Sequence, residues 1–196
     1  MTQTVIPVVV LDDLSQTVPK LSALQAGGIG IAEITFRTAC AAEAIALAKK
    51  EFPDMKIGAG TVINAGQCET ALAAGATFIV SPGLSEEVAA ICRGAGVPYY
   101  PGCVTPTEMM RAVALGLEVV KFFPAQVYGG LKAIKALSAP FPQIRFIPTG
   151  GVDATNLEEF LAFDKIFAVG GSWMMKGDVE AKSREVVEIV KRSGRI

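Results

Sequence analysis

The sequence contains no histidine among its 196 residues. This absence excludes imidazole acid/base catalysis, serine or cysteine nucleophiles that a histidine activates, and histidine-ligated metal sites. Its four cysteines, Cys40, Cys68, Cys92 and Cys103, include no closely spaced pair that would clip a metal ion. Any chemistry must therefore come from lysine, carboxylates, hydroxyls, thiols or backbone groups. We expect the thiols to be free, as in a reducing cytoplasm.

Charge and long apolar runs are also scarce. Only 19% of the residues are charged, and 18 basic against 19 acidic residues leave a net charge of −1. This balance argues against nucleic-acid binding and against attachment to a membrane. We find neither the basic leader of a signal peptide nor an apolar stretch of about 18 residues that would form a transmembrane helix. Because 51% of the residues are apolar, we expect one globular domain spanning residues 1–196.

Short apolar, β-branched runs alternate with longer helical patterns along the whole chain. Continuous apolar runs are typical of strands that are buried on both faces of a parallel sheet. The eight predicted strands cover residues 5–10, 30–34, 56–60, 77–81, 97–100, 118–122, 144–147 and 165–170. Helical patterns are predicted at 14–24, 41–50, 64–74, 85–94, 105–116, 153–161 and 178–192. Asp153 is expected to cap one of them.

The repeated alternation of strand and helix predicts an α/β fold. Eight such units favour a single (β/α)8 TIM barrel, although the chain is short for that fold. An open doubly wound sheet is less favoured, because no G-x-G-x-x-G turn follows an early strand. In a barrel the active site lies at the carboxyl ends of the strands.

Lys121 is the residue that most strongly indicates chemistry. It has two apolar residues on each side and lies in a strand near the catalytic end. Lysine is rarely buried, and desolvation favours the neutral amine that attacks a ketone to form an iminium. The alternative is an ordinary strand-end lysine whose ammonium group lies in solvent. Lys165 also has apolar neighbours, but it is predicted to begin its strand at the opposite end.

Glu33 is a carboxylate within an apolar strand. The alternation of a strand places Ile31 and Glu33 on one face, which we expect to point into the barrel mouth. There the carboxylate could move protons for Lys121, directly or through water. The alternative is an ion pair with Arg37 or another cation.

Two glycine pairs follow the last two predicted strands. Gly150-Gly151 follows the seventh, and Gly170-Gly171-Ser172 follows the eighth. Barrels often bind phosphate there with loop amides and the start of a short helix, which residues 173–175 could form. A glycine pair can also be a simple turn, but two pairs at these positions favour a phosphate site.

Seven motifs together resemble one known family. They are GIAEITFRT (30–38), GAGTV (58–62), SPG (81–83), PGCVTPTE (101–108), KFFPA (121–125), PTGGV (148–152) and GGSW (170–173). In this order the chain resembles the class I 2-keto-3-deoxy-6-phosphogluconate (KDPG) aldolases, including forms that also cleave 4-hydroxy-2-oxoglutarate (KHG). The resemblance spans nearly the whole chain. It implies cleavage of KDPG to pyruvate and glyceraldehyde 3-phosphate, and of KHG to pyruvate and glyoxylate.

The resemblance also implies a role for each site residue. Lys121 would form the Schiff base, and Glu33 would be the general acid/base, acting through a water. The implied substrate-binding residues are Arg37 and Thr61 for the pyruvyl carboxylate, Pro82 and Phe123 for the pocket wall, Thr149 for specificity, and Gly150, Gly151, Gly171 and Ser172 for the phosphate. Such aldolases need no metal or organic cofactor, are commonly homotrimers, and serve the Entner–Doudoroff pathway in the cytoplasm.

Three other functions are ranked lower. The 2-keto-3-deoxy-6-phosphogalactonate aldolases usually differ in the segments that match KFFPA and PTGGV. Phosphate-binding isomerases or epimerases work through carboxylate pairs or metals, whereas Glu33 is the one obvious carboxylate at the catalytic ends. A non-catalytic phosphate-sugar-binding barrel would not need Lys121 and Glu33.

The given sequence departs from the family at its start. Family members often carry a short helix before the first strand, whereas here the first predicted strand begins almost at Met1. We therefore expect the bottom of the barrel to be less covered.

Overall fold

The computed structural model describes residues 1–195, in which parallel β-strands alternate with α-helices. The strands are β1 (Val5–Val9), β2 (Ile31–Thr35), β3 (Lys56–Gly60), β4 (Ile79–Val80), β5 (Tyr99–Tyr100), β6 (Val119–Phe122), β7 (Arg145–Pro148) and β8 (Val169–Gly171). The helices are α1 (Thr17–Ala26), α2 (Ala41–Glu51), α3 (Ala65–Ala73), α4 (Glu86–Ala95), α5 (Pro106–Ala114), α6 (Gly130–Ser138), α7 (Leu157–Leu161) and α8 (Val179–Arg192). Short 3-10 helices span Leu14–Gln16 and Trp173–Met175.

Hydrogen bonding joins neighbouring strands in parallel. Six strands form one sheet in the order β5-β4-β3-β2-β1-β8, and β6 pairs with β7 in a second sheet. Isolated parallel bridges, Gly102↔Lys121 and Thr149↔Gly170, lie at the two junctions between these sheets. The carboxyl ends of the strands therefore lie at one edge, where the loops that follow them come together.

The core lies on both faces of the strands. Every residue of β1 and β2 is buried, as the continuous apolar runs predicted. Helices cover the outer face, and four of them, α3, α4, α5 and α8, begin with a side-chain cap. Thr105 and Glu108 form a reciprocal capping box at the start of α5, and Pro106 occupies the first turn. The largest buried side chains include Phe122, Phe146 and Phe160.

The strand and helix predictions need correction at β4, β5, β8, α6 and Asp153. β4 and β5 are two residues long, and β8 begins at Val169, because the segment before it makes only an isolated bridge between Ile166 and Phe146. Helix α6 was not predicted. Asp153 does not cap a helix: its carboxylate accepts from the backbone N–H of Thr155 at 2.9 Å in a local turn, and α7 begins only at Leu157.

All four cysteines are free thiols. Cys68, Cys92 and Cys103 are buried in the core, and Cys40 is half-buried. Burial raises the pKa of the Cys92 and Cys103 thiols to about 12, which keeps them protonated and unreactive at neutral pH. These cysteines serve as small core side chains, as expected.

Across residues 1–195, the structure has no helix that combines the length and the apolar character of a membrane span.

Candidate active site

Lys121 and Glu33 meet inside the protein. Lys121 lies in β6 and Glu33 in β2, and they are 5% and 3% exposed. The Nζ atom of Lys121 lies 3.5 Å from Oε1 of Glu33 and 5.3 Å from the ring centre of Phe123. This distance is long for a direct hydrogen bond, but catalytic contacts often tighten only when substrate binds. The alternative considered from the sequence, in which the ammonium group of Lys121 lies in solvent, is therefore wrong.

The backbone around both side chains is held on two sides. Lys121 pairs with Ile147 of β7, and its own N–H donates to the Pro101 carbonyl at 2.8 Å. Glu33 pairs with Val8 of β1 and with Gly58 of β3. Because four neighbouring segments fix their positions, the amine and the carboxylate are preorganised rather than carried on loops.

Gly60 makes room for the carboxylate. This glycine ends β3, and a Cβ atom placed on it would collide with Oε1 and the carboxyl carbon of Glu33. The carboxylate therefore lies directly over the Cα atom of Gly60. A glycine at this position permits the close approach that directs Glu33 toward Lys121.

Arg37 pairs with Thr61 and not with Glu33. Its Nε atom donates to Oγ1 of Thr61 at 3.0 Å. Thr61 has a φ of 57°, and it is the one non-glycine residue of the described range with positive φ. A β-branched residue held in this conformation is strained, and such strain concentrates at functional sites. Of the alternatives considered for Glu33, the ion pair with Arg37 is wrong, and the cation beside its carboxylate is Lys121.

A cavity of about 360 Å³ opens at the carboxyl ends of the strands. It is lined by most of the residues that the sequence singled out, together with several others: Val8, Val10, Arg37, Lys121, Phe123, Thr149, Gly150, Gly151, Val152, Asp153, Gly171, Ser172, Trp173 and Lys176. Its volume suits a small metabolite. Glu33 and Thr61 adjoin it through their contacts with Lys121 and Arg37.

Pro82 is not among the residues that line this cavity. It borders a neighbouring depression of about 260 Å³ with Ser81, Gly83 and Leu84. The backbone carbonyl of Pro82 packs so closely on Gly102 that no side chain would fit there. Pro82 therefore lies beside Gly102, which forms a parallel bridge with Lys121.

The two glycine-rich loops lie side by side at the far end of the cavity. Gly150 and Gly151 have φ values of 92° and 78°, a region that favours glycine. Backbone N–H groups of Ala125 and Gln126 donate to the Thr149 and Gly150 carbonyls at 2.8 and 3.1 Å. These bonds tie the loop after β7 to the loop after β6.

Gly171 allows Trp173 to fold back. A Cβ atom on Gly171 would collide with the Trp173 ring, and Ser172 precedes the short helix Trp173–Met175. The short helix expected at this position is therefore confirmed.

Sequence reasoning missed two charged residues of the cavity wall. Lys176 adds a third cation to Arg37 and Lys121. The sequence feature that could have pointed to it is its position directly after the short helix Trp173–Met175. Asp153 is the carboxylate of the wall itself, where hydrogen bonds from Thr155 lower its pKa. Three cations against two carboxylates, Asp153 and the Glu33 group beside Lys121, leave an excess of positive charge that attracts a negatively charged ligand.

The described residues contain no group of three or more histidine, cysteine, aspartate or glutamate side chains suited to hold a metal ion.

Comparison with known proteins identifies the family. The family model described as "Aldolase: KDPG and KHG aldolase" matches residues 1–191. The chain belongs to this aldolase family. It is 47% identical over 195 residues to the 2-dehydro-3-deoxy-phosphogluconate aldolase of Treponema pallidum (strain Nichols), a match that covers 95% of this chain and 93% of that protein. The resemblance inferred from the seven motifs is confirmed.

Two further aldolases connect the family to the site chemistry. The KHG/KDPG aldolase of Escherichia coli (strain K12) is 42% identical over 174 residues, covering 89% of this chain and 82% of that protein. The KDPG aldolase of Legionella pneumophila is 39% identical, with a TM-score of 0.87, covering 97% of this chain and 93% of the other. That structure holds pyruvate captured at low pH as a covalent carbinolamine intermediate. A carbinolamine is the first adduct that an amine forms with a ketone.

Proposed function

We propose that this aldolase cleaves KDPG to pyruvate and glyceraldehyde 3-phosphate through a Schiff base on Lys121. The observation that carries this proposal is the buried amine of Lys121, 3.5 Å from the buried carboxylate of Glu33, at one wall of a cationic cavity. The amine can attack a carbonyl carbon, and the carboxylate beside it is a partner for proton transfer.

The reaction follows from these two groups. The neutral amine of Lys121 attacks the C2 carbonyl, and loss of water from the carbinolamine gives an iminium ion. Glu33 then accepts the proton of the C4 hydroxyl. The C3–C4 bond breaks, its electron pair moves toward the iminium nitrogen, and the aldehyde leaves. Glu33 returns a proton to C3 of the enamine, and water hydrolyses the iminium to release pyruvate and restore the amine.

Other residues hold the two charged ends of the substrate. Arg37, which Thr61 holds through its hydroxyl, presents a planar fork that suits the carboxylate of the pyruvyl portion. Phe123 forms the wall near the reacting carbon, and Thr149 contacts the central hydroxyls. The backbone amides of Gly150, Gly151 and Gly171, with Ser172, bind the distal phosphate.

Cleavage of KHG to pyruvate and glyoxylate is a second activity of the same site. It needs the Schiff base and the carboxylate contact but not the phosphate loops. The name of the Escherichia coli relative, KHG/KDPG aldolase, supports it. The two substrates differ in what they place at the phosphate loops: KDPG has a phosphate group there, and KHG has none.

We also propose that the eight strands close into a single (β/α)8 barrel domain spanning residues 1–196. The bridges Gly102↔Lys121 and Thr149↔Gly170 support closure, since they join the two sheets on both sides. The family resemblance supports a homotrimer and a place in the Entner–Doudoroff pathway. The four free thiols support a cytoplasmic location.

The substrate is tested by comparing the kcat/KM values of KDPG, its galactonate epimer and KHG. The proposal expects KDPG to be cleaved most efficiently of the three. Preference for the galactonate epimer, or no cleavage of any of the three, would contradict it.

Ser172→Ala separates phosphate binding from chemistry. We expect KM for KDPG to rise about ten- to hundredfold, because a hydrogen bond to a charged group contributes about 1.5–3 kcal/mol. Both kcat and the kinetics with unphosphorylated KHG should stay close to wild type. Ser193→Ala, at the end of α8, is the control and should change neither. An equal loss with both substrates would show that Ser172 does not contact the phosphate.

Gly60→Ala tests whether the position of the Glu33 carboxylate matters. The added methyl group would occupy the space of the carboxylate, so we expect kcat to fall by about ten- to hundredfold, within the range of a lost acid/base contact. Gly94→Ala is the matched control, since a Cβ atom there meets nothing within 4 Å. Steady-state kinetics that leave Gly60→Ala as active as Gly94→Ala would refute this role.

A further inference from the structure

Thr35 carries a buried hydroxyl that no protein group satisfies. The residue ends β2 and is 1% exposed. Within residues 1–195, Thr35 and Thr17 hold the two fully buried side-chain polar atoms that lack a hydrogen-bond partner. Buried polar groups are nearly always hydrogen-bonded, and an unsatisfied one costs about 1–3 kcal/mol. An exception of this kind next to a reaction centre requires an explanation.

The strand register places Thr35 level with the reacting carboxylate. Glu33 and Thr35 are two residues apart in β2, so their side chains lie on the same face of the strand. Thr35 pairs with Gly60 of β3, and the Glu33 carboxylate lies over that same Gly60. Paired residues of neighbouring strands are about 4.8 Å apart. The Cα atom of Thr35 and the carboxylate of Glu33 therefore lie next to the same residue, Gly60, at the same level along the strand direction.

This arrangement leaves the Thr35 hydroxyl free to form a hydrogen bond with a water or with a substrate hydroxyl. Thr35 makes no hydrogen bond to Glu33, and the one polar contact of the carboxylate among the described side chains is with Lys121. A hydroxyl can donate one hydrogen bond and accept others. An oxygen atom between Thr35 and Glu33 would therefore find a donor on one side and a proton acceptor on the other.

We infer that Thr35 is a positioning residue, whose hydroxyl donates to the oxygen from which Glu33 takes its proton. That oxygen belongs either to a water or to the C4 hydroxyl of the substrate. The inference rests on the proposed aldolase function and extends it. Thr35 keeps its own proton throughout: the oxygen gives its proton to Glu33, and the hydrogen bond from Thr35 stabilises the negative charge that develops on it.

Thr35→Val and Thr35→Ser test this role. Valine has the shape of threonine without the hydroxyl, so folding should be unaffected and the unfolding midpoint should stay near that of wild type. We expect kcat for KDPG to fall by about ten- to hundredfold in Thr35→Val, with KM nearly unchanged. Borohydride should still trap pyruvate on the protein, because the amine is intact. Thr35→Ser should recover most of kcat.

Exchange of the pyruvate methyl hydrogens for deuterium identifies the oxygen. Pyruvate has no C4, so exchange that slows together with cleavage assigns the contact to a water. Unchanged exchange with slower cleavage assigns it to the C4 hydroxyl. Either result supports the role of Thr35.

Thr17→Val is the matched control, because it removes the other unsatisfied buried hydroxyl, in α1, and should keep wild-type kinetics. The inference is overturned if Thr35→Val is as active as Thr17→Val, if Thr35→Ser is as slow as Thr35→Val, or if Thr35→Val no longer traps pyruvate. Failure of the wild-type protein itself to trap pyruvate would instead refute the proposed function.

Discussion

Replacement of Lys121 with alanine is expected to abolish both cleavage of KDPG and trapping of pyruvate by borohydride. Alanine has no amine to attack the carbonyl, so neither the iminium nor the electron sink for C3–C4 cleavage can form. The rate should fall to the background of the assay. Steady-state kinetics and the intact mass after borohydride treatment measure the two losses separately.

Lys165→Ala is the matched control for this prediction. Lys165 also lies among apolar residues, but its Nζ atom donates to the Pro142 carbonyl at 2.7 Å, away from the cavity. This variant should keep both cleavage and trapping. If Lys121→Ala still traps pyruvate, another amine is the nucleophile.

Glu33→Gln is expected to separate Schiff-base formation from turnover. Glutamine has nearly the same shape as glutamate but cannot accept the proton of the C4 hydroxyl. Loss of a general acid/base typically lowers a rate by about 10²–10⁴-fold. Turnover should fall by such a factor, while borohydride still traps pyruvate on Lys121.

The Glu33→Asp variant shows whether the distance to Lys121 matters. Aspartate keeps the carboxylate but withdraws it by one methylene group from its position beside Lys121. We expect an activity between those of wild type and Glu33→Gln. Wild-type turnover in Glu33→Gln would reject the assignment of Glu33 as the acid/base.

The chemistry-bearing part of the site was largely predictable from the sequence. Apolar neighbours on both sides of Lys121 predicted a buried amine, and alternation predicted that Glu33 faces the interior. Both side chains are buried and in contact. The sequence left an ion pair between Glu33 and Arg37 open, because it does not show which cation lies beside a buried carboxylate. It could not show that Thr61 would hold Arg37 instead, since that contact depends on how β3 ends.

Features that depend on pairing between strands were not predictable. The role of Gly60 follows from the carboxylate of a neighbouring strand, and the unsatisfied hydroxyl of Thr35 follows from its surroundings. Helix α6 was missed because it begins after Gly129 in a left-handed conformation and has no capping side chain. Asp153 has the residue type of a cap, but it closes a turn with Thr155 before α7. Local sequence signals cannot distinguish these two uses of aspartate.

Peptide mapping of the wild-type protein after treatment with pyruvate and borohydride tests the central claim most directly. The account predicts one modified site, the reduced pyruvyl group on Lys121. Modification of a different lysine, or no covalent adduct at all, would contradict it.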